Sequence, residues 1–183
     1  EETMETMVKL YPTWPMAPDW IPKIFVNTYE WYVNAGIHGV NLLRYFFGNS
    51  LEPVFSNIPN KNAVLTKFEW ENVLVDFSFV GTELGEWIQG GEFIFEKGSL
   101  KFRIPSPMNK LAVTRFEIHT SLDSLSKQIQ ELSAEIKEPK WCFESQAENF
   151  IRCLYNKERS ATSGEESLND HLLIEKIWAK AVS

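Results

Sequence analysis

The residues that could carry out chemistry are concentrated in one short stretch, from Asn34 to Gly48. His38 is a candidate general base because a neutral imidazole nitrogen accepts protons near physiological pH. Asn34 lies four residues earlier, and its side-chain amide is within reach of the imidazole or of a shared ligand. Spacing alone leaves an ordinary alternative for each: a half-buried histidine bonded to a loop carbonyl, and an asparagine at a turn or a helix N-cap.

A helix over residues 36–47 is predicted to carry this stretch. Its apolar residues follow three- and four-residue spacing, and Gly48 with the next residue is a typical C-terminal stop. They are Ile37, Val40, Leu43 and Phe47. The helix places His38 in its first turn, where the positive end of the helix dipole disfavours an imidazolium. Asn41 faces either a ligand or the solvent, and we expect Arg44 to pair with a carboxylate in a structural role.

The middle of the chain predicts an antiparallel sheet with one face packed and one partly free. Apolar and polar residues alternate in successive segments, which are joined by short turns at Glu71-Asn72 and Lys97-Gly98. The predicted strands cover 64–70, 73–79, 87–96, 99–104 and 111–119. Residues 121–138 are polar and serine-rich, and their sequence is compatible with a helix or with an irregular edge strand.

Two helices are predicted to close the chain. The first covers 142–156, and the second follows the capping-box pattern Ser163-Gly164-Glu165-Glu166. Strands and helices are therefore segregated along the sequence, which predicts the α+β class. The length of 183 residues fits a single domain spanning 1–183. Within it, residues 1–30 form a region rich in proline and tryptophan, which we expect to be a surface loop beside a binding site.

Charge and cysteine content limit the possible partners. The net charge of −7 and the absence of a basic stripe argue against nucleic acid and anionic membranes. No apolar run approaches the length of a membrane-spanning helix, and the first residues lack the pattern of a signal peptide. Cys142 and Cys153, if helical, lie too far apart for a disulfide. We therefore expect a cytoplasmic protein.

Four segments, in order, resemble motifs of one enzyme family. Asn34–Gly48 is similar to the pattern D-x-G-x-H-x-x-D-x-x-R-x-x-x-G, and the hairpin Gly90–Pro105 resembles a glycine–strand–"GsL" hairpin. Phe143-x-x-Gln146-x-x-x-Phe150 and the segment Ser163–Ile177 resemble the last two helices. Together they cover about residues 27–182 and resemble the C-terminal domain of the Gfo/Idh/MocA oxidoreductases.

The resemblance implies the substrate-binding half of a two-domain enzyme. Members bind NAD or NADP in an N-terminal Rossmann domain, which this sequence lacks, so the chain alone is expected to be inactive and to bind no cofactor. Their C-terminal domain is a large, mostly antiparallel sheet with helices packed on one face. The other face often builds homo-oligomers, dimers or tetramers. Their substrates are sugars, cyclitols or nucleotide sugars, and one hydroxyl of the substrate is oxidised.

The resemblance also implies roles for particular residues. His38 corresponds to the catalytic histidine, which takes a proton from the substrate hydroxyl. Asn34 and Asn41 occupy positions where the family has aspartates, and an amide brings no negative charge to support the histidine. Further candidates for substrate contacts are Asn27, Thr28, Tyr29, Glu30, Trp20 and Trp31, although each is equally compatible with anchoring a loop. No metal site is expected, and the alternatives to an enzyme domain are a non-enzymatic ligand-binding module and an oligomerisation module.

Overall fold

The computed structural model describes residues 17–82, 87–111, 113–120, 140–160 and 162–183. They fall into two compact units, the first built from the described residues of 17–82 and 162–183 and the second from those of 87–160. The interpretation of 1–183 as a single domain stays a prediction.

The described elements comprise four α-helices and six β-strands. The helices are α1 (Val26–Trp31), α2 (Ile37–Phe47), α3 (Cys142–Asn156) and α4 (Gly164–Val182). The strands are β1 (Glu52–Asn60), β2 (Ala63–Trp70), β3 (Val73–Val80), β4 (Gln89–Phe95), β5 (Gly98–Ile104) and β6 (Arg115–Thr120). In the first unit, β1, β2 and β3 form one antiparallel sheet in that order, and in the second β4, β5 and β6 form another.

The helix that carries His38 is longer than its sequence predicts. A short 3-10 turn at Lys23–Phe25 leads into α1, and a π-helical turn at Tyr32–Gly36 joins α1 to α2 without a break. The predicted helix over 36–47 is confirmed as α2, but helical segments precede it, so residues 23–30 of the region 1–30 are helical and do not form a loop. The reason is that Pro22 is the last proline of the region, so the amides that follow are free to enter helical hydrogen bonds.

The first sheet contains the predicted hairpin and one strand that the sequence did not reveal. Strands β2 and β3 pair without irregularity, and Glu71 takes a left-handed conformation in the turn, with φ of 53°. Strand β1 was missed because Pro53 and Pro59 interrupt its pattern. Both prolines are tolerated because β1 is an edge strand whose register shifts near them.

The core of the first unit forms where α4 meets the α1–α2 run and the inner face of the sheet. Ser163 caps α4, its Oγ accepting a hydrogen bond from the backbone N–H of Glu166 at 3.3 Å, as the sequence predicts. The buried core residues are Ile21, Tyr29, Tyr32, Val40, Leu51, Val64, Phe68, Leu173, Ile174, Ile177 and Trp178. Burial of these large side chains fixes the helical run on the sheet.

The second unit contains the other predicted hairpin and helix. Phe93 stacks beside Phe95 and Phe102, with ring centroids 6.3 Å and 6.1 Å away, so one face of the sheet is aromatic. The strand predicted over 111–119 covers only Arg115–Thr120. Both cysteines lie in α3, where they are free as expected. The open question about residues 121–138 lies outside the described residues.

The α+β class is confirmed, with segregated helices and antiparallel strands. The single large sheet is not confirmed, because the described strands form two three-stranded sheets. In the part of the chain that the structure describes, no helix combines the length and the apolar character that crossing a membrane requires.

Candidate functional site

Asn34 and His38 lie on the solvent-exposed side of the helical run. The opposite side turns Tyr32, Gly36 and Val40 into the core. The four-residue spacing places both side chains on this side of the run, with Asn34 in the π turn at Tyr32–Gly36 and His38 in the first turn of α2. The continuous run contradicts the expectation about the dipole, because His38 lies inside a longer helical segment and not at its N-terminus.

Two glycines let this helix approach β3 closely. A Cβ on Gly39 would lie 2.9 Å from the ring of Phe77, and one on Gly36 would lie 3.2 Å from Tyr32 and 3.3 Å from Phe79. Contacts of 2.9 Å are shorter than carbon atoms tolerate, so a larger residue at Gly39 would push helix and sheet apart. Gly36 and Gly39 thus set the distance between the helix that carries His38 and strand β3.

A buried ion-pair network locks α2 to α4. The guanidinium of Arg44, only 5% exposed, donates through Nη2 to Glu166 Oε2 at 2.7 Å and through Nη1 to the Glu166 carbonyl at 2.8 Å. It also pairs with the buried carboxylate of Asp170. Asn49 accepts two further hydrogen bonds from it, at 3.0 Å and 2.6 Å. The expectation that Arg44 pairs with a carboxylate is confirmed, and the network uses all three guanidinium nitrogens.

The electrostatics of this network favour the charged guanidinium. Burial by itself lowers the pKa of Arg44, but the hydrogen bonds that it donates to Asp170 and Glu166, together with the negative charges of these carboxylates, outweigh burial and raise the pKa above its ordinary value. Asn41 belongs to the same network, since its Nδ2 donates to Asp170 Oδ2 at 2.9 Å. The amide nitrogen of Asn41 thus faces α4, and a role in substrate binding stays a prediction.

The other predicted contact residues divide into an exposed row and a buried set. Asn27 is exposed and Glu30 half-buried, and with Asn34 and His38 they follow the spacing of one helix face. Thr28 is buried, and its hydroxyl donates to the carbonyl of Lys61 at 2.6 Å. The structure therefore brings four of the predicted residues into one row and turns Thr28 towards the loop after β1.

Tyr29 and Trp20 form an aromatic contact at the edge of the core. The ring of Tyr29 lies edge-on to Trp20, with centroids 6.3 Å apart, and edge-on to Trp178 at 5.1 Å. Burial, reinforced by the negative charge of Glu175, raises the pKa of the Tyr29 hydroxyl. Tyr29 is thus a core residue, whereas Trp20 keeps 44% of its surface exposed.

The main positioning residue that sequence reasoning missed is Asp170. It lies 126 residues from Arg44 in the chain, and a single aspartate in an amphipathic helix carries no signal of burial. The available clue was Arg44 itself, a cation surrounded by apolar residues, which requires a buried carboxylate somewhere in the fold.

Among the described residues, no group of three or more His, Cys, Asp or Glu side chains is arranged to hold a metal ion. A dinucleotide site of the Rossmann type needs parallel strands joined through a helix with a glycine-rich turn. All strand pairs in the described ranges are antiparallel, so none of them supplies the parallel pair of a Rossmann-type site.

Searches against protein-family models, curated proteins and solved structures found no significant match for the chain.

Proposed function

We propose that this chain is the substrate-binding and assembly domain of an NAD(P)-dependent oxidoreductase that acts on a hydroxyl of a sugar, cyclitol or nucleotide sugar. One observation carries the proposal: Asn34 and His38 are both exposed and lie one turn apart on a helix whose other side is locked in the core. The order of the four resembling segments supports the same assignment.

The chemistry assigned to this chain is positioning and proton transfer. His38 accepts the proton of the substrate hydroxyl through a neutral imidazole nitrogen, and Asn34 orients the imidazole or a neighbouring hydroxyl through its amide. The cofactor, which belongs to a separate dinucleotide-binding domain in this proposal, supplies the redox chemistry. The steps that the proposal assigns to this chain are substrate binding, orientation and proton transfer.

Rigid support of the helix favours a role in catalysis, because a general base works only when it is held in place. The Arg44 network fixes α2 against α4, and the glycine contacts fix it against β3. Asn34 and His38 thus project from a helix that is anchored on two sides. A surface histidine on a mobile loop would lack this support.

The test begins with the coding sequence that precedes Glu1. The proposal predicts a strand followed by a glycine-rich turn, and an enzyme that reduces NAD or NADP with a sugar or cyclitol. In that enzyme His38→Ala lowers kcat about 100- to 10,000-fold, while His171→Ala, an exposed histidine on α4, leaves it unchanged. An unrelated upstream domain, or a His38→Ala enzyme with unchanged kcat, contradicts the proposal.

A second candidate function, oligomerisation, is favoured by the outer face of the first sheet. Exposed apolar side chains surround the ion pair between Lys67 Nζ and Asp76 Oδ1, which are 3.3 Å apart. They are Phe55, Leu65 and Leu74, with Val80 at the strand end. A cluster of exposed apolar side chains on one face of a sheet is typical of a subunit contact.

Sedimentation velocity separates this candidate from a purely monomeric binding module. Oligomerisation through this face predicts a dimer or tetramer that Leu74→Asp converts to a monomer. Ile94→Asp, an equally drastic change at an exposed position of the second unit, leaves the assembly intact. A wild-type chain that stays monomeric at every concentration excludes the assembly role.

A further inference from the structure

Trp31 flanks the Asn34–His38 row on the side of β3. It is the last residue of α1 and lies three residues before Asn34. Its ring is tilted against Phe79, with centroids 4.6 Å apart, yet 39% of the residue remains exposed. A large aromatic ring that is fixed by the sheet but still open to solvent is a surface on which a ligand can stack.

Gly81 makes this position of the ring possible. A Cβ at Gly81 would lie only 2.0 Å from the Cη2 atom of Trp31, so any side chain there would displace the indole. The backbone N–H of Gly81 donates to the carbonyl of Asn62 at 2.7 Å, which holds the end of β3 in place. The indole therefore lies against bare backbone, and the glycine determines where the ring stops.

We propose that Trp31 is the stacking residue of the site and selects ligands that present a flat, apolar face of C–H groups. The inference rests on the proposed function and narrows its substrate class to saturated ring compounds, pyranoses or cyclitols, whose hydroxyls are mainly equatorial. In such a ring the C–H groups of one face contact the indole. The hydroxyls point outward from the rim, towards Asn34 and His38.

Trp31 is a better candidate than Trp20 for a structural reason. Trp20 lies in the turn before the helix, where its ring contacts the edge of the buried Tyr29. Trp31 belongs to the helical run that carries Asn34 and His38, and both of its contacts lie on β3 or immediately after it. The position of Trp31 relative to Asn34 and His38 is therefore fixed by the packing of the helical run against β3, which also positions His38.

The experiment uses two probes that share hydroxyl chemistry and differ in shape. Methyl β-D-glucopyranoside is a ring with equatorial hydroxyls, and D-sorbitol is an open chain with no flat face. Each is titrated into the 15N-labelled 183-residue chain, and the indole Nε1–H signal of Trp31, assigned with Trp31→Phe, is followed by NMR. We expect this signal and the backbone amides around His38 to shift saturably with the glucopyranoside and not with sorbitol.

Three variants test the role of the ring. Trp31→Ala is expected to weaken glucopyranoside binding roughly tenfold, and Trp31→Phe, which keeps an aromatic face, by no more than about threefold. Gly81→Ala moves the ring without changing Trp31 and is expected to weaken binding as much as Trp31→Ala. Far-UV circular dichroism of each variant shows whether the fold is kept.

The outcomes separate this inference from the proposed function. If the amides around His38 respond but folded Trp31→Ala and Gly81→Ala bind like wild type, the stacking role is wrong and the proposed function stands. Equal binding of sorbitol and glucopyranoside overturns the selection for a flat face. If neither the Trp31 indole nor the His38 amides respond to the glucopyranoside, both the stacking role and the sugar site fail.

Discussion

Replacing Arg44 with methionine would remove the cation that joins α2 to α4 while keeping much of the apolar stem. The change eliminates every hydrogen bond from the guanidinium to Glu166, Asp170 and Asn49. It leaves the carboxylate of Asp170, whose side chain is 6% exposed, buried without its cation. Removing one partner of a buried ion pair costs about 3–5 kcal/mol, so the unfolding equilibrium constant should rise more than ~100-fold.

The assay is urea-induced unfolding followed by tryptophan fluorescence, to which the buried Trp178 contributes. The matched control is Lys67→Met, which breaks an ion pair whose side chains are 50% and 65% exposed and should change stability by no more than about 1 kcal/mol. A third variant, Arg44→Met with Asp170→Asn, removes both charges and should recover part of the loss. If Arg44→Met costs no more than Lys67→Met, the network does not position the helix.

Four further substitutions test side-chain packing and backbone conformation. Tyr32→Phe removes a hydroxyl that is buried without a hydrogen-bond partner in the described part of the chain. The change should therefore raise the free energy of unfolding by about 1 kcal/mol. A lower free energy of unfolding would show that the hydroxyl does form a hydrogen bond. Lys157 at the end of α3 has a left-handed backbone conformation (φ of 54°), so Lys157→Gly should stabilise the folded chain by up to about 1 kcal/mol. Gly48 at the end of α2 has a φ of 75°, so Gly48→Ala should destabilise the folded chain by about 1–3 kcal/mol. Both changes are measured by thermal unfolding. In a solvent-exposed helix, a change from glycine to alanine stabilises the fold. Gly39→Ala should instead destabilise this chain, because the added Cβ would clash with the ring of Phe77. In a Phe77→Leu background the same change should not destabilise the chain.

Local patterns predicted the elements that depend on nearby residues. The stop of α2 at Gly48, the cap of α4 at Ser163 and the β2–β3 hairpin each follow from a few adjacent side chains. Strand β1 was hidden because two prolines break its alternation, and only its position at the sheet edge makes them acceptable. The strand pattern of the sequence therefore failed for β1, because the position of this strand in the sheet decides whether its prolines are tolerated.

In the candidate site, too, some features follow from neighbouring residues and others depend on contacts between distant segments. The row of Asn34 and His38 follows from helical spacing, and the need of Arg44 for a carboxylate follows from its place between apolar residues. The π turn and the choice of Asp170 as partner depend on packing between segments far apart in the chain. The dipole argument for His38 failed for a related reason, because the helix extends back to Val26.

The most direct test of the central claim observes His38 itself. The chain contains three histidines, so the Hε1 signals of His38, His119 and His171 can be assigned by single substitutions and followed by NMR during addition of a panel of sugars and cyclitols. We expect at least one ligand to shift the His38 signal saturably while the signals of His119 and His171 stay in place. A His38 signal that responds to no ligand, or that moves only in parallel with His119 and His171, contradicts a substrate site on this helix.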